Sequence, residues 1–366
     1  MSETNNCTLT TSDCCGEPSV TDIVKTYYGK TLQSKENLLS EACCCLDMPC
    51  AQVREVLPLI ADEILTKFYG CGSPLPPLLE GMTVLDLGCG TGRDVYIASK
   101  LVGQSGCAIG VDMTTEQIEI AKKYQAEQSE RFGFISSNVK LLQGYIEDLK
   151  SLGIEDNSID VVISNCVINL SPVKEQVFKE IFRVLKPGGE LYFADVFSDR
   201  RIPEHLANDP VLCGECLGGT LYTEDFRRIM SAIGFADFRY TNIRNIELNG
   251  DIADKLGFAT FSSRTVRAFK IDDLEDACED YGQVAYYNGE IPDFPRYFDL
   301  DKSHRFITGK PTLVCGNTAS MLAKTRYAKA FNVVGDRSVH FGSFDCSSDV
   351  CYEPEGAGSC GSGSCC

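Results

Sequence analysis

The string Val84-Leu-Asp-Leu-Gly-Cys-Gly-Thr-Gly92 constrains this chain more than any other segment. It places a glycine cluster directly after an apolar, strand-like run and before a helical pattern. Gly88, Gly90 and Gly92 permit a tight turn there and let a ligand come close to the backbone. From Met82 onward the pattern alternates. Strands are expected over 83 to 87, 108 to 111, 139 to 142, 159 to 164 and 190 to 195, with helices after 92, over 115 to 131 and over 174 to 185. Such alternation predicts an α/β fold with a doubly wound parallel sheet.

Asp112 ends the second expected strand about twenty residues after the glycines, where a carboxylate can accept both hydroxyls of a ribose. NAD and S-adenosylmethionine (SAM) both suit this architecture. Asp86 inside the first strand, and Gly88-Cys-Gly-Thr-Gly92 in place of Gly-x-Gly-x-x-Gly, resemble the Rossmann-like class I SAM methyltransferase version. SAM has no pyrophosphate to cradle, so the third dinucleotide glycine is not needed. The expected cofactor contacts are Asp86, Gly88, Cys89, Gly90 and Asp112, with Gly144-Tyr-Ile-Glu147 bracketing adenine through Ile146 and Glu147. Leu185-Lys-Pro-Gly-Gly189 resembles the turn before strand five of that superfamily, although Pro187 and Gly188 would end a helix regardless of chemistry.

With 34 Lys and Arg against 52 Asp and Glu, the formal charge of -18 disfavours nucleic acid and anionic membrane surfaces as partners. Residues 1 to 20 lack the basic and apolar segments of a signal peptide, and no run approaches the ~20 apolar residues of a membrane span. A cytoplasmic, membrane-free monomer is the expectation. Twenty cysteines in a reducing compartment point to metal, metalloid or redox chemistry. Several, such as Cys89, Cys107 and Cys213, read as small packing residues. The histidines do not fall at zinc spacing with cysteine, so no structural zinc is expected. The expected organisation is a tail over 1–20, a methyltransferase domain with preceding helices over 21–241, a smaller aromatic-rich α+β domain over 242–341, and a flexible Cys/Gly/Ser tail over 342–366.

Four strings bear on the acceptor: Ala42-Cys-Cys-Cys45, Tyr69-Gly-Cys-Gly72, Ser164-Asn-Cys-Val-Ile-Asn169 and Gly214-Glu-Cys-Leu-Gly-Gly219. With Arg93-Asp94, Gly144-Tyr-Ile-Glu147 and Glu190-Leu-Tyr-Phe193, they resemble the arsenite methyltransferase family from Tyr27 to about Val333. The resemblance implies that Cys71, Cys166 and Cys216 hold As(III), with Cys43, or its neighbour Cys44 or Cys45, as a fourth functional thiol that can pair with Cys71. It also implies Tyr69 facing the sulfonium, Met113 at the adenine, Asn165 beside the cofactor, and a thiol reductant such as thioredoxin or glutathione. Soft trivalent arsenic prefers thiolates, and three sulfurs leave its lone pair free to take a methyl group. A methyltransferase for an organic acceptor would not explain the cysteine strings, and a thiolate-rich sequestering protein would leave the SAM loop idle.

Overall fold

A computed structural model describes residues 50–68, 70–207, 209–248 and 250–346, together with Thr21, Val24 and Lys25. The expected α/β architecture is present. Eight strands form one sheet: β1 (Thr83–Leu87), β2 (Cys107–Asp112), β3 (Val139–Gln143), β4 (Ile159–Asn165), β5 (Leu185–Ser198), β6 (Leu221–Tyr222), β7 (Phe238–Ile246) and β8 (Phe261–Phe269). Their order is β3-β2-β1-β4-β5-β8-β7, with β6 on the end of β5. β1 to β5 run parallel, and β8 joins β5 antiparallel, as does β7 to β8. The central strands are covered on both faces. That is why β1 and β4 read as continuous apolar runs rather than alternating ones. Order reverses between β1 and β4, which opens a crevice at their carboxyl ends.

Helix boundaries follow local chemistry. The helical segment before the sheet divides at Pro58 into Ala51–Val56, a short 3-10 turn at Leu57–Leu59, and Asp62–Thr66. Proline supplies no N–H to continue the ladder. The helix expected over 115 to 131 divides at Tyr124 into Thr115–Lys123 and Gln125–Arg131.

The expected domain boundary at 241/242 falls inside β7, and β8 lies wholly beyond it. Both strands belong to the main sheet because β8 pairs along the length of β5, from Glu190↔Phe269 to Ser198↔Phe261. The smaller unit begins after Phe269. Its three-stranded antiparallel sheet has Gln283–Tyr287 between Pro311–Val314 and Phe331–Val334, packed on the helix Gly316–Ala323. Of the aromatics expected to fill it, Tyr287 and Phe298 are buried, whereas Phe258 is almost fully exposed. Residues 342 to 346 are part of this unit rather than of a tail, since Gly342–Ser343 pairs with Glu279–Asp280 and the Phe344 amide donates to the Cys278 carbonyl at 2.8 Å.

A buried ion network ties the two units together. Glu190 of β5 pairs with Arg267 of β8 at 2.6 Å and with Arg326, and Arg267 also donates to the Tyr327 hydroxyl and the Leu300 carbonyl. Removing one partner would strand a buried charge, a change that typically costs about 3–5 kcal/mol.

Candidate active site

The glycine loop leaves β1 with Gly88 and Gly90 at φ +72° and +52°, and Gly92 at +100° caps the helix Arg93–Val102. A Cβ on Gly88 would collide with Val167, which follows β4, whereas one on Gly90 would meet nothing closer than 3.8 Å. The backbone at Gly90 therefore faces open space. Asp112 fixes it there: one carboxylate oxygen accepts from the Gly90 amide at 2.9 Å, the other from the Thr114 amide at 2.8 Å. A carboxylate offers about four acceptor positions, so acceptor capacity remains beyond these two amides and the Thr114 hydroxyl.

A cavity opens over this loop. Every expected cofactor residue among those described lines it: Asp86, Gly88, Cys89, Gly90, Asp112, Met113, Ile146, Glu147 and Asn165. Tyr69 lies outside the described residues. The sequence reading missed Phe68, Thr114, Gln117, Leu170 and Ser171, which complete the wall. Phe68 stacks under the Arg93 guanidinium, 4.0 Å from ring centroid, and Arg93 is ion-paired with Asp94 at 2.6 Å. Three aspartates thus adjoin the cavity. Burial raises the Asp86 carboxyl well above its ordinary value, helped by the charges of Asp94 and Asp112, and burial likewise raises Asp112. Asp86 is buried, and its Oδ2 has no hydrogen-bond partner among the described residues. Such a set favours a cationic ligand that would supply the missing counter-charge.

The thiols stand at the next carboxyl ends. Cys166 follows β4 with φ +55°, and its amide donates to the Ala194 carbonyl of β5 at 2.8 Å. Cys216 follows the short helix Pro210–Gly214 with φ +59°. Non-glycine residues in the left-handed region are uncommon and cluster at functional sites. Cys71 and Cys166 are joined as a disulfide, with Cα atoms 5.9 Å apart, and the Cys216 Sγ donates to the Cys166 carbonyl at 3.6 Å. All three are buried, and Cys166 also lines the cavity. The structure therefore places Cys71 and Cys166 together and Cys216 against the Cys166 backbone, while the group that shares the first two sulfurs within 4.8 Å contains Asp195. Cys43, Cys44 and Cys45 lie outside the described residues, and so does the expected pairing of Cys43 with Cys71.

The surrounding strings have packing reasons. A Cβ on Gly219 would strike the Asn169 carbonyl, and one on Gly218 would come within 2.8 Å of the Ala207 carbonyl. Both glycines let the Cys216 loop lie flat on its neighbours. Asn169 donates to both oxygens of Asp195 and to the Val196 carbonyl, while its side-chain oxygen accepts from the Leu221 amide at 3.1 Å. Asp195 is a second omission of the sequence reading. Its carboxyl lies within 4.8 Å of the Cys71 and Cys166 sulfurs, and burial, outweighing donors from Val196 and Asn169, pushes its pKa up to about 7. Ser263 of β8 is a third omission: its hydroxyl donates to the Cys71 carbonyl at 2.8 Å.

The remaining expected packers behave as such. Cys89 is buried against Gly110 of β2, and Cys213 is buried with its thiol donating to the Ala207 carbonyl. Cys107 is only half-buried at the edge of the core.

The chain is 49% identical to an arsenite methyltransferase of Aquipseudomonas alcaligenes over 91% of its own length and 96% of that protein's. It belongs to the arsenite methyltransferase family. The mouse arsenite methyltransferase is 41% identical over 84% of this chain and 82% of its own. Residues 78–234 match a methyltransferase domain, and residues 280–355 match the arsenite methyltransferase C-terminal domain. Among solved structures, that of an arsenic(III) S-adenosylmethionine methyltransferase from Chlamydomonas reinhardtii superposes with a TM-score of 0.79 at 49% identity, covering 81% of this chain and 100% of that one. The family match to the C-terminal unit ends at residue 355, beyond the edge strand Gly342–Ser343. This agrees with residues 342 to 346 being structural.

Proposed function

We propose that this arsenite methyltransferase holds trivalent arsenic on Cys71, Cys166 and Cys216 and methylates it at the mouth of the SAM cavity, as a step in arsenic detoxification. The observation that supports the thiol assignment most strongly is that Cys166 belongs to both places. It lines the cavity and is within bonding reach of Cys71, with Cys216 against its backbone.

The residues present fit SAM. The orphaned Oδ2 of Asp86 and the acidic wall suit its cationic groups, Gly90 offers open backbone, and Asp112 keeps acceptor capacity for ribose hydroxyls. When bound, SAM supplies a sulfonium methyl that is already activated for transfer. The chain's part is to position and desolvate. Cys166 and Cys216 both sit in left-handed conformations, and the Cys216 thiol lies against the Cys166 backbone carbonyl. Each thiol that takes up arsenite releases its proton with a hydroxide as water, so loading the site needs no redox step. The disulfide between Cys71 and Cys166 must first be opened by two electrons, which supports a role for a thiol reductant of the thioredoxin or glutathione class. No helix among the described residues is long and apolar enough to cross a membrane, and the formal charge of -18 disfavours nucleic acid and anionic membrane surfaces as partners; our reading of the chain is a cytoplasmic monomer.

Asn165 lines the cavity and also braces the Cys71 loop. Its amide donates to the Gly72 carbonyl and to Asp94, each at 3.0 Å, and its oxygen accepts from the amides of Cys71 and Gly72. Both donors and both acceptor positions are occupied, so the side chain positions the Cys71 loop. Asn165→Leu is expected to weaken arsenite binding about 10- to 100-fold, since each lost buried partner costs about 1–3 kcal/mol, while SAM affinity changes less than about threefold. Calorimetric titration with each ligand separates the two; SAM affinity falling as far as arsenite affinity would make Asn165 a cofactor contact as well.

The function itself is tested by following methyl transfer from SAM to arsenite with a thiol reductant present, with antimonite and a phenolic acceptor as comparisons. Transfer to the phenol but not to arsenite would overturn it.

A further inference from the structure

The second cluster of cysteines lies in the C-terminal unit, away from the SAM cavity. Cys278, Cys315 and Cys346 come from three separate segments, yet their sulfurs all lie within 4.8 Å of one another, and none is in a disulfide. Cys278 precedes the edge strand Glu279–Asp280, and Cys346 follows its partner Gly342–Ser343, so that pairing brings the two together. Cys315 is the N-cap of the helix Gly316–Ala323 and accepts from the Thr318 amide at 3.4 Å.

The surroundings of Cys315 suit a thiolate. The partly buried Arg239 guanidinium lies 3.9 Å from the Cys315 sulfur, and Cys315 also takes the positive end of its helix. Cys278 and Cys346 line an open hollow with Asp237, Arg239, Asp301 and His304, and none of its lining residues borders the SAM cavity. Cys315 is buried beneath, so an ion entering the hollow would meet two half-exposed sulfurs and then the third.

We infer that Cys278, Cys315 and Cys346 form a second, non-catalytic binding site that takes up trivalent arsenic as a three-thiolate complex. Soft ions favour sulfur ligands. Zinc would call for four ligands, but among the described residues no fourth Cys, His, Asp or Glu joins the cluster. Trivalent arsenic needs three, its lone pair taking the fourth direction. Uptake is an exchange without oxidation: arsenous acid and three thiols give the tris-thiolate and three waters.

The test uses reduced full-length protein with Cys71, Cys166 and Cys216 all changed to Ser, so that the site assigned above is absent and its failure cannot be mistaken for failure here. This variant is compared with the same protein carrying Cys315→Ser or Cys346→Ser in addition. After arsenite loading and gel filtration, elemental analysis is expected to show each added substitution lowering bound arsenic by about one per chain. X-ray absorption should report three As-S bonds. Circular dichroism checks folding, and Cys346→Ser, half-exposed near the end of the unit, serves if Cys315→Ser unfolds. In the otherwise unchanged enzyme, Cys346→Ser should leave the methylation rate at saturating arsenite unaltered. Unchanged arsenic content in folded variants would overturn the inference, as would stoichiometric zinc in the isolated protein that Cys315→Ser removes and arsenite does not displace.

Discussion

Cys166→Ser and Cys216→Ser are each expected to abolish methylation of arsenite and of trivalent monomethylarsenic, a fall of about 1000-fold or more, or about 4 kcal/mol of transition-state stabilisation. Methylation exchanges one As-S bond for an As-C bond, so the monomethyl species needs only two protein thiolates. Cys166 and Cys216 are that pair. One lines the SAM cavity, the other touches its backbone, and both are held in left-handed conformations that a mobile segment could not maintain. Cys43→Ser should spare the monomethyl substrate, because the role proposed for Cys43 is disulfide exchange as the arsenic is returned to the trivalent state. Purified variants assayed on both substrates with SAM and a thiol reductant decide the matter. A Cys166→Ser enzyme that still methylates the monomethyl species near the unmutated rate would show that the arsenic site is misassigned.

Asp112→Ala should weaken SAM binding about 100-fold while leaving arsenite binding intact. Two hydrogen bonds from ribose hydroxyls to a carboxylate, at roughly 1.5 kcal/mol each, account for that factor. The same carboxylate also restrains the Gly90 and Thr114 amides, so Asp112→Asn, which keeps one acceptor oxygen, should fall between. The chain has no tryptophan, and calorimetry is the suitable readout. Equal loss of both affinities in Asp112→Ala would mean that the substitution disrupts the fold or that the ribose lies elsewhere.

What could be read from the sequence was what lies within one short stretch of chain. The glycine loop announces itself because turn, ligand approach and helix start all fall within Gly88 to Arg93. Cys166 and Cys216 are marked by strings whose neighbours, Asn169 and Gly219, prove to touch each other. Long-range pairing was not legible. Ser263 reaches Cys71 only because β8 returns antiparallel along β5, and nothing around Ser263 announces a partner 192 residues away. The same return explains the misplaced domain boundary, since the aromatic residues after Asn242 resemble those of the C-terminal unit until the strand pairing is known. Cys278, Cys315 and Cys346 likewise follow no ligand spacing, because the edge strands and the helix cap that gather them are far apart in the chain. The place of Asn165 beside the loop was evident, but for a related reason the four partners that occupy its amide were not.

The backbone at residues 166 and 216 has a consequence for any attempt to improve this protein. Glycine would occupy either conformation without penalty, whereas a side chain there costs roughly 1 kcal/mol or more. At residue 216 a search for heat-tolerant variants that rewards only the folded state would therefore be drawn to glycine and would discard the sulfur, whereas at residue 166 the same change would also remove the disulfide to Cys71. Durability and chemistry thus compete at residue 216, so such a selection must carry an arsenic-resistance readout alongside the thermal one.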